Sequence, residues 1–124
     1  MIVLDSCILI AFAEPTNVLH EDAKRILTTT ESLAITALSG AEIMVHPPQD
    51  QRRRWRNLFR ALAIEVVPIA ADDMEDIANM RRISGLKMPD ALVLWLAQRR
   101  QATVASFDRQ LLNRATQLGL RTVH

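Results

Sequence analysis

The feature that most constrains the fold is an alternation of short, mostly apolar segments with longer segments of helical periodicity. The short segments, which we predict to be strands, are residues 2–4 (IVL), 33–37 (LAITA), 64–69 (IEVVPI), 102–106 (ATVAS) and 120–124 (LRTVH). Strands that alternate with helices through short connections predict an α/β fold with a parallel sheet. Helices on both faces of such a sheet explain strands without polar alternation. Right-handed crossovers then bring all strand carboxyl ends to one edge, where ligands bind in open α/β sheets.

The segments between the strands show helix start and stop signals. Asn17 can cap a second helix, Ser39 can start a third, and Gly85 and Gly119 can end later ones. The predicted helices cover residues 6–14, the segment after Asn17, the segment from Ser39 to before Pro47, the arginine-rich segment around Trp55, and residues 71–84, 89–100 and 108–118.

Length and composition predict one domain, residues 1–124, with an ordinary core. The net charge of +1 gives no overall indication of polyanion binding. A lone Cys7 allows no internal disulfide and fits a reducing compartment, and we expect it to be a small buried apolar residue. Because no secretory signal and no bilayer-spanning apolar run is evident, we expect a cytoplasmic protein without membrane contact.

Four carboxylates fall at corresponding places in this pattern. Asp5 directly follows the predicted strand IVL, Asp108 follows the segment TVASF in the same way, and Glu42 lies one turn into the third helix. Asp90 lies in the first turn of the helix behind Pro89, and its position is the least determined by the topology. Each acid alone has an ordinary explanation as a helix cap or an end-of-strand residue. Together they predict a single acidic edge.

An acidic edge of this kind favours a hard divalent cation. Two carboxylates 4 Å apart repel by about 1–4 kcal/mol, depending on screening. Mg²⁺ and Mn²⁺ prefer oxygen ligands and suit phosphoryl chemistry. His20, His46 and His124 lack the spacing of a zinc site, and no glycine-rich phosphate loop indicates a nucleoside triphosphatase.

Four motifs together resemble the PIN-domain ribonucleases, and most closely the VapC-like toxins of toxin–antitoxin modules. They are VLDSCILIA, ALSGAEIM, KMPDALVLWLAQ and TVASFDRQLL, and their order and spacing over essentially the whole chain carry the resemblance. The resemblance implies a three-layer α/β/α fold around a central parallel sheet. It also implies an endoribonuclease in which Asp5, Glu42, Asp90 and Asp108 hold one or two Mg²⁺ or Mn²⁺ ions.

The same resemblance implies supporting residues and partners. Ser6 matches a small hydroxyl residue beside the first acid, and Ser106 matches a residue that positions metal-bound water. The implied partners are an RNA substrate, a cognate antitoxin protein and a second copy of the chain in a homodimer. Leu111, where many relatives have an aromatic residue, and the bulky Trp95 depart from the family pattern. Trp95 would fill the core or a dimer contact.

An arginine-rich helix is the first candidate for holding RNA. It contains Arg52, Arg53, Arg54, Arg56 and Arg60. Arg52, Arg56 and Arg60 repeat every four residues. They lie opposite an apolar stripe that includes Trp55, and they could bind phosphates or form a solvated face. Trp55 could stack on a base, although its spacing favours core packing. The other candidates are Arg81, Arg82, Arg99 and Arg100.

Two further functions are consistent with the sequence. One is a housekeeping RNA-processing nuclease, and the other is a catalytically silent PIN-like module that binds nucleic acid or protein. A phosphoacceptor receiver domain is excluded, because it needs an acidic pair after the first strand, an acceptor aspartate after the middle strand and a lysine near the end. This chain has Asp5 alone, Pro68, and no lysine after Lys87.

Overall fold

The predicted strands form one parallel sheet in the computed structural model, which describes residues 1–45 and 47–124. The strands are β1 (Ile2–Leu4), β2 (Leu33–Thr36), β3 (Glu65–Val67), β4 (Thr103–Ala105) and β5 (Thr122–Val123). Their order across the sheet is β3-β2-β1-β4-β5. Val3 on the central strand lies opposite Ala34 of β2 and Val104 of β4. The prediction of a parallel α/β fold is therefore confirmed.

Seven α-helices connect and cover the strands within the described residues. They are α1 (Ser6–Ala13), α2 (His20–Leu27), α3 (Ala37–Val45), α4 (Arg52–Ala61), α5 (Met74–Ser84), α6 (Met88–Arg100) and α7 (Arg109–Gln117). Single 3₁₀ turns at Gln49–Gln51 and Ala71–Asp73 precede α4 and α5. None of the helices in the described ranges has the length and apolar character to cross a bilayer.

The sheet separates two hydrophobic cores. Leu4 of β1 packs with residues of α1 to α4 on one face, including Ile8 and Phe59. Val3, whose side chain points to the opposite face, packs with residues of α5, α6 and α7, including Trp95. This arrangement is the expected three-layer α/β/α architecture. Trp95 is 4% exposed and so belongs to the core.

Two helix starts differ from the predictions. The helix α2 begins at His20, and the Asn17 side-chain oxygen instead accepts the Leu19 N–H at 2.8 Å in the turn before it. The helix α3 begins at Ala37, directly after β2, where Thr36 Oγ1 accepts the Ser39 N–H at 3.0 Å. Ser39 is buried inside α3 and does not start it. The Asn17 side chain thus accepts a hydrogen bond in the turn before α2, and Thr36 accepts one near the start of α3, where Ser39 was expected to do so.

The connection between α5 and α6 places the third predicted acid. Gly85 ends α5 with a φ of 68°, a left-handed conformation that glycine adopts at low cost. The chain then passes through Leu86, which is buried, to Lys87, and α6 starts at Met88. Asp90 consequently lies in the first turn of α6.

Candidate acidic site

A hydrogen-bonded network joins the ends of β1 and β4. The Ser106 hydroxyl donates to Asp5 Oδ2 at 2.6 Å and accepts the Asp108 N–H at 2.9 Å. Asp5 is 7% exposed and Ser106 is fully buried, so each needs these partners to offset its desolvation. The hydroxyl thus fixes Asp5 relative to Asp108. The water-positioning role implied for Ser106 stays a prediction.

Cys7 also belongs to this network, which corrects the expectation of a simple apolar residue. Its thiol donates to Asp5 Oδ2 at 3.1 Å, and its sulfur accepts the Phe107 N–H at 3.3 Å. Burial and the negative charge of Asp5 raise the pKa of this thiol to about 12. Cys7 is therefore protonated at neutral pH and able to donate a hydrogen bond. A single cysteine two residues after an acid gave no pattern that could reveal this contact.

The other residues at this junction are Asp108 and Ser6. Asp108 Oδ1 accepts the N–H groups of Gln110 at 2.8 Å and Leu111 at 3.2 Å, so Asp108 is the N-cap of α7. Asp108 is therefore a helix cap, which is the ordinary explanation for such an acid, and its carboxylate lies at the same edge as Asp5. The Ser6 hydroxyl lies 3.5 Å from Asp5 Oδ1, at the limit of hydrogen bonding.

The negative charges of the other three predicted acids act on Asp90. Burial raises the pKa of Asp90 to about 6, with additional contributions from the negative charges of Asp5, Asp108 and Glu42. These three residues lie on different elements, and Glu42 is on the exposed side of α3. Because charge interactions weaken with distance, residues far apart in sequence are brought near each other at this edge.

Lys87 is a residue of this site that the sequence patterns did not single out. It occupies the N-cap position of α6. Its positive charge lowers the pKa of Asp90 and so opposes the effects of burial and of the neighbouring negative charges, which raise it. Lys87 is the first residue of the motif KMPDALVLWLAQ, three positions before Asp90, but no periodic or paired charge pattern marked it as part of the site.

The carboxylate oxygens at this edge are of the kind that binds a hard divalent cation. Carboxylate oxygens are the ligands that Mg²⁺ and Mn²⁺ prefer, and the negative charge that raises the pKa of Asp90 is what a bound cation would offset. Within residues 1–45 and 47–124, no group of three or more His, Cys, Asp or Glu side chains is already arranged to hold a metal ion. A cation would therefore have to draw these carboxylates together.

Histidines contribute nothing to this edge in the part of the chain that is described. The His20 ring stacks on Phe12 with centroids 5.6 Å apart, so it packs against an aromatic ring. The His124 main-chain oxygen accepts a hydrogen bond from Arg25. His46, for which no ligand role was expected, lies outside the described residues.

The arginine-rich helix α4 contacts the end of α3 and the hydrophobic core. Arg52 donates through Nε to the Met44 carbonyl at 3.0 Å, so it caps the end of α3. Arg53, Arg54, Arg56 and Arg60 are exposed. Trp55 is half-buried and packs at 6.4 Å against Phe59, in agreement with core packing. The RNA-binding role of α4 stays a prediction.

The arginines at the end of α6 are engaged in the structure. Arg99 pairs with Asp73 and lies over the Trp95 ring, 5.5 Å from its centroid. Arg100 makes a two-pronged ion pair with Glu65 at 3.1 and 3.2 Å. These pairs tie the end of α6 opposite to Asp90. Arg81 and Arg82 are exposed on α5.

Comparisons with known proteins agree with this architecture. The family model of the PIN domain matches residues 2–117. No curated protein sequence matches the chain. A toxin–antitoxin complex from Klebsiella pneumoniae contains a chain that is 24% identical, with a TM-score of 0.68 and coverage of 87% of both chains.

Two further solved structures are similar in fold. FitAcB from Neisseria gonorrhoeae is 16% identical, with a TM-score of 0.68 and coverage of 100% of this chain and 97% of that one. The Mycobacterium tuberculosis toxin VapC20, described as cleaving the sarcin–ricin loop, is 17% identical, with a TM-score of 0.67 and coverage of 91% and 94%. At these identities the likeness demonstrates a shared fold.

Proposed function

This chain belongs to the PIN-domain family, and from that premise we propose that it is a metal-dependent endoribonuclease that acts in the cytoplasm as the toxin of a toxin–antitoxin pair. The observation that carries the proposal is the electrostatic coupling of Asp90 to Asp5, Asp108 and Glu42. An excess of carboxylates at a strand edge destabilises the protein unless a cation or a basic partner offsets it.

In this proposal Asp5, Glu42, Asp90 and Asp108 hold one or two Mg²⁺ or Mn²⁺ ions. When bound, such an ion lowers the pKa of a coordinated water and stabilises negative charge on the phosphodiester. Ser106 and Cys7 hold the Asp5 carboxylate through Oδ2, so that Asp5 is already oriented before any ligand arrives. Asp108 is fixed by its capping bonds to the start of α7.

Lys87 contributes a positive charge next to Asp90. We propose that it contacts the RNA phosphate backbone as the strand approaches the carboxylates. The ammonium group of Lys87 would reduce the repulsion between the acidic edge and a polyanion. It would also allow the carboxylates to remain ionised and available as ligands.

The proposed partner is an antitoxin protein. The structures of similar fold include a toxin–antitoxin complex from Klebsiella pneumoniae, and this supports the same kind of partner here. A basic side chain of such a partner, placed among the carboxylates, would satisfy the electrostatic need that a metal ion otherwise meets. We further propose that the chain forms a homodimer.

Cleavage of RNA with and without metal tests the proposed chemistry. We expect the wild-type protein to cleave a labelled RNA in Mg²⁺ or Mn²⁺ and to be inactive in EDTA. Asp5→Asn and Asp90→Asn should each reduce the rate by more than the roughly 10–100-fold typical of residues that only support a ligand. Asp76→Asn, on the exposed surface of α5, is the matched control and should leave the rate unchanged.

Full activity of Asp90→Asn in a clean preparation would refute the assigned site, and cleavage in EDTA would refute the metal requirement. A protein that neither cleaves RNA nor binds Mn²⁺ would be the silent module. A neighbouring gene for a small DNA-binding protein would favour a toxin over an RNA-processing nuclease.

A further inference from the structure

Two adjoining grooves run along the exposed side of α7. One has a volume of about 380 Å³ and is lined in part by Phe107, Arg109, Leu112 and Asn113. The other has a volume of about 430 Å³ and is lined by Arg109, Gln110, Asn113, Arg114 and Gln117. Arg109 and Asn113 line both, so the grooves form one continuous surface. We call this surface the α7 strip and define it by Phe107, Arg109, Leu112, Asn113, Arg114 and Gln117.

The α7 strip begins at the acidic site. Asp108, the N-cap of α7, lies between Phe107 and Arg109, the first two residues of the strip. The Phe107 N–H donates to Cys7, whose thiol contacts Asp5. An RNA strand lying along α7 would therefore have Asp108, one of the four acids, at the start of the helix that it follows.

The charge of the α7 strip distinguishes it from the other grooves. No aspartate or glutamate side chain lines either of its two grooves. In contrast, the groove between α1 and α4 includes Glu14, and the groove beside α5 and α6 includes Asp72, Asp73 and Asp76. Of these four grooves, the two that form the α7 strip are thus the better suited to a polyanion.

The two arginines of the α7 strip are not neutralised by carboxylates. Within the described residues, no hydrogen bond or ion pair engages the Arg109 guanidinium. Arg114 bonds to the neutral Gln117 side chain at 2.8 Å. Their positive charges remain available for phosphate oxygens.

The remaining side chains suit nucleotides. Amide groups such as Asn113 can bond base edges, and an aromatic ring with an apolar neighbour, such as Phe107 with Leu112, can contact base faces. The exposed large apolar residues of the protein, which would favour a protein partner, all lie outside the α7 strip.

We propose that the α7 strip binds the single-stranded RNA on one side of the scissile phosphate, with Arg109 and Arg114 contacting the backbone and Phe107, Leu112 and Asn113 contacting bases. This inference rests on the proposed function. It places the RNA along α7, whereas the sequence pattern alone favoured the arginines of α4.

Steady-state cleavage of a mixed-sequence 12-nucleotide RNA in Mg²⁺ tests the inference. We expect Arg109→Gln combined with Arg114→Gln to raise KM several-fold with kcat nearly unchanged, because these contacts bind substrate and transition state alike. The slope of log(kcat/KM) against log salt should become shallower by about 1.4, since each phosphate contact on a single strand contributes about 0.7.

Two double variants that remove the same charge serve as controls. Lys24→Gln with Arg121→Gln, at two exposed positions outside α4, α5, α6 and α7, should leave KM and the salt slope unchanged. Arg53→Gln with Arg56→Gln tests α4 as the alternative path. The inference is overturned if the α7 double variant behaves as wild type, if the Lys24/Arg121 control loses as much, or if the α4 variant alone carries the loss.

A measurement on the wild-type protein avoids any effect of the variants on folding. RNA containing 4-thiouridine, irradiated in complex with the protein, should cross-link to residues 107–117. Cross-links confined to residues 52–61 would contradict the inference. If the α7 double variant changes only the oligomeric state in sedimentation and not KM, the strip is a contact between copies and the inference is wrong.

Failure of the inference is distinguishable from failure of the proposed function. A wild-type protein that does not cleave RNA in any divalent metal overturns both. A wild-type protein that cleaves RNA but depends on no residue of the α7 strip overturns the inference alone.

Discussion

At the scale of single residues, the site is organised by one buried hydroxyl. Ser106 connects Asp5 to the main chain of Asp108, and Cys7 adds a second donor to the same carboxylate oxygen. A buried carboxylate with two donors is held in one orientation at little cost in solvation. These hydrogen bonds join residues about a hundred positions apart in the chain.

Ser106→Ala should destabilise the protein by about 1–3 kcal/mol, because it leaves two buried polar groups with fewer partners. Urea unfolding measures the loss. The matched control is Thr116→Ala, which removes an exposed hydroxyl bonded to the Leu112 carbonyl and should change the free energy of unfolding by no more than about 0.5 kcal/mol. Equal stability of the two variants would show that the network contributes nothing to the fold.

Asp90 makes stability depend on pH. Its pKa is about 6 in the folded protein against an ordinary value of 3.8. Between these values the folded state binds more protons than the unfolded state, so this residue's contribution to stability falls as pH rises and is fully lost above pH 6.

Asp90→Asn should therefore raise the Tm of the metal-free protein at pH 7.5, where the carboxylate is ionised and repelled by its neighbours. The gain should shrink towards pH 4, where Asp90 is protonated in the folded state. Asp76→Asn, on the exposed part of α5, should give no such gain. The explanation fails if Asp90→Asn lowers Tm at pH 7.5 or shifts it equally at both pH values.

At the scale of elements, the sequence predicted the number, type and order of the helices and strands. Apolar runs identified every strand, and Gly85 and Gly119 lie just after helix ends with positive φ, as expected for such glycines. Asp5 and Asp108 could be placed at one edge because parallel strands share the direction of their carboxyl ends. Asp90 could not be placed in this way, since α6 follows the helix α5 and not a strand.

What the sequence could not predict depends on contacts between elements. Cys7 and Lys87 carry no periodic signal. The role of Cys7 follows from its hydrogen bond with the Phe107 N–H after β4, and that of Lys87 from its charge beside Asp90 at the start of α6. The caps at Asn17 and Ser39 were misplaced because a residue suited to a cap can serve a neighbouring turn or a buried position equally well. Arg52 repeats with other arginines, yet it caps α3 in three dimensions.

At the scale of the whole molecule, a near-neutral total hides a strongly uneven distribution of charge. The net charge of +1 combines an acidic edge at β1 and β4 with unpaired arginines along α7. The fold places these charges side by side, because α1 begins after Asp5 and α7 begins after Asp108, which Ser106 joins by hydrogen bonds. In our proposal, an RNA that approaches the four acids is held by the arginines of α7 beside them.

We propose that Asp5, Glu42, Asp90 and Asp108 gather around a divalent cation. Anomalous diffraction from crystals soaked in Mn²⁺ would locate such an ion. We expect a peak in direct coordination with the Asp5 and Asp90 carboxylates, accompanied by Asp108 or Glu42 directly or through water. No peak at this edge, or a peak only in the acidic groove beside α5, would contradict the proposed site.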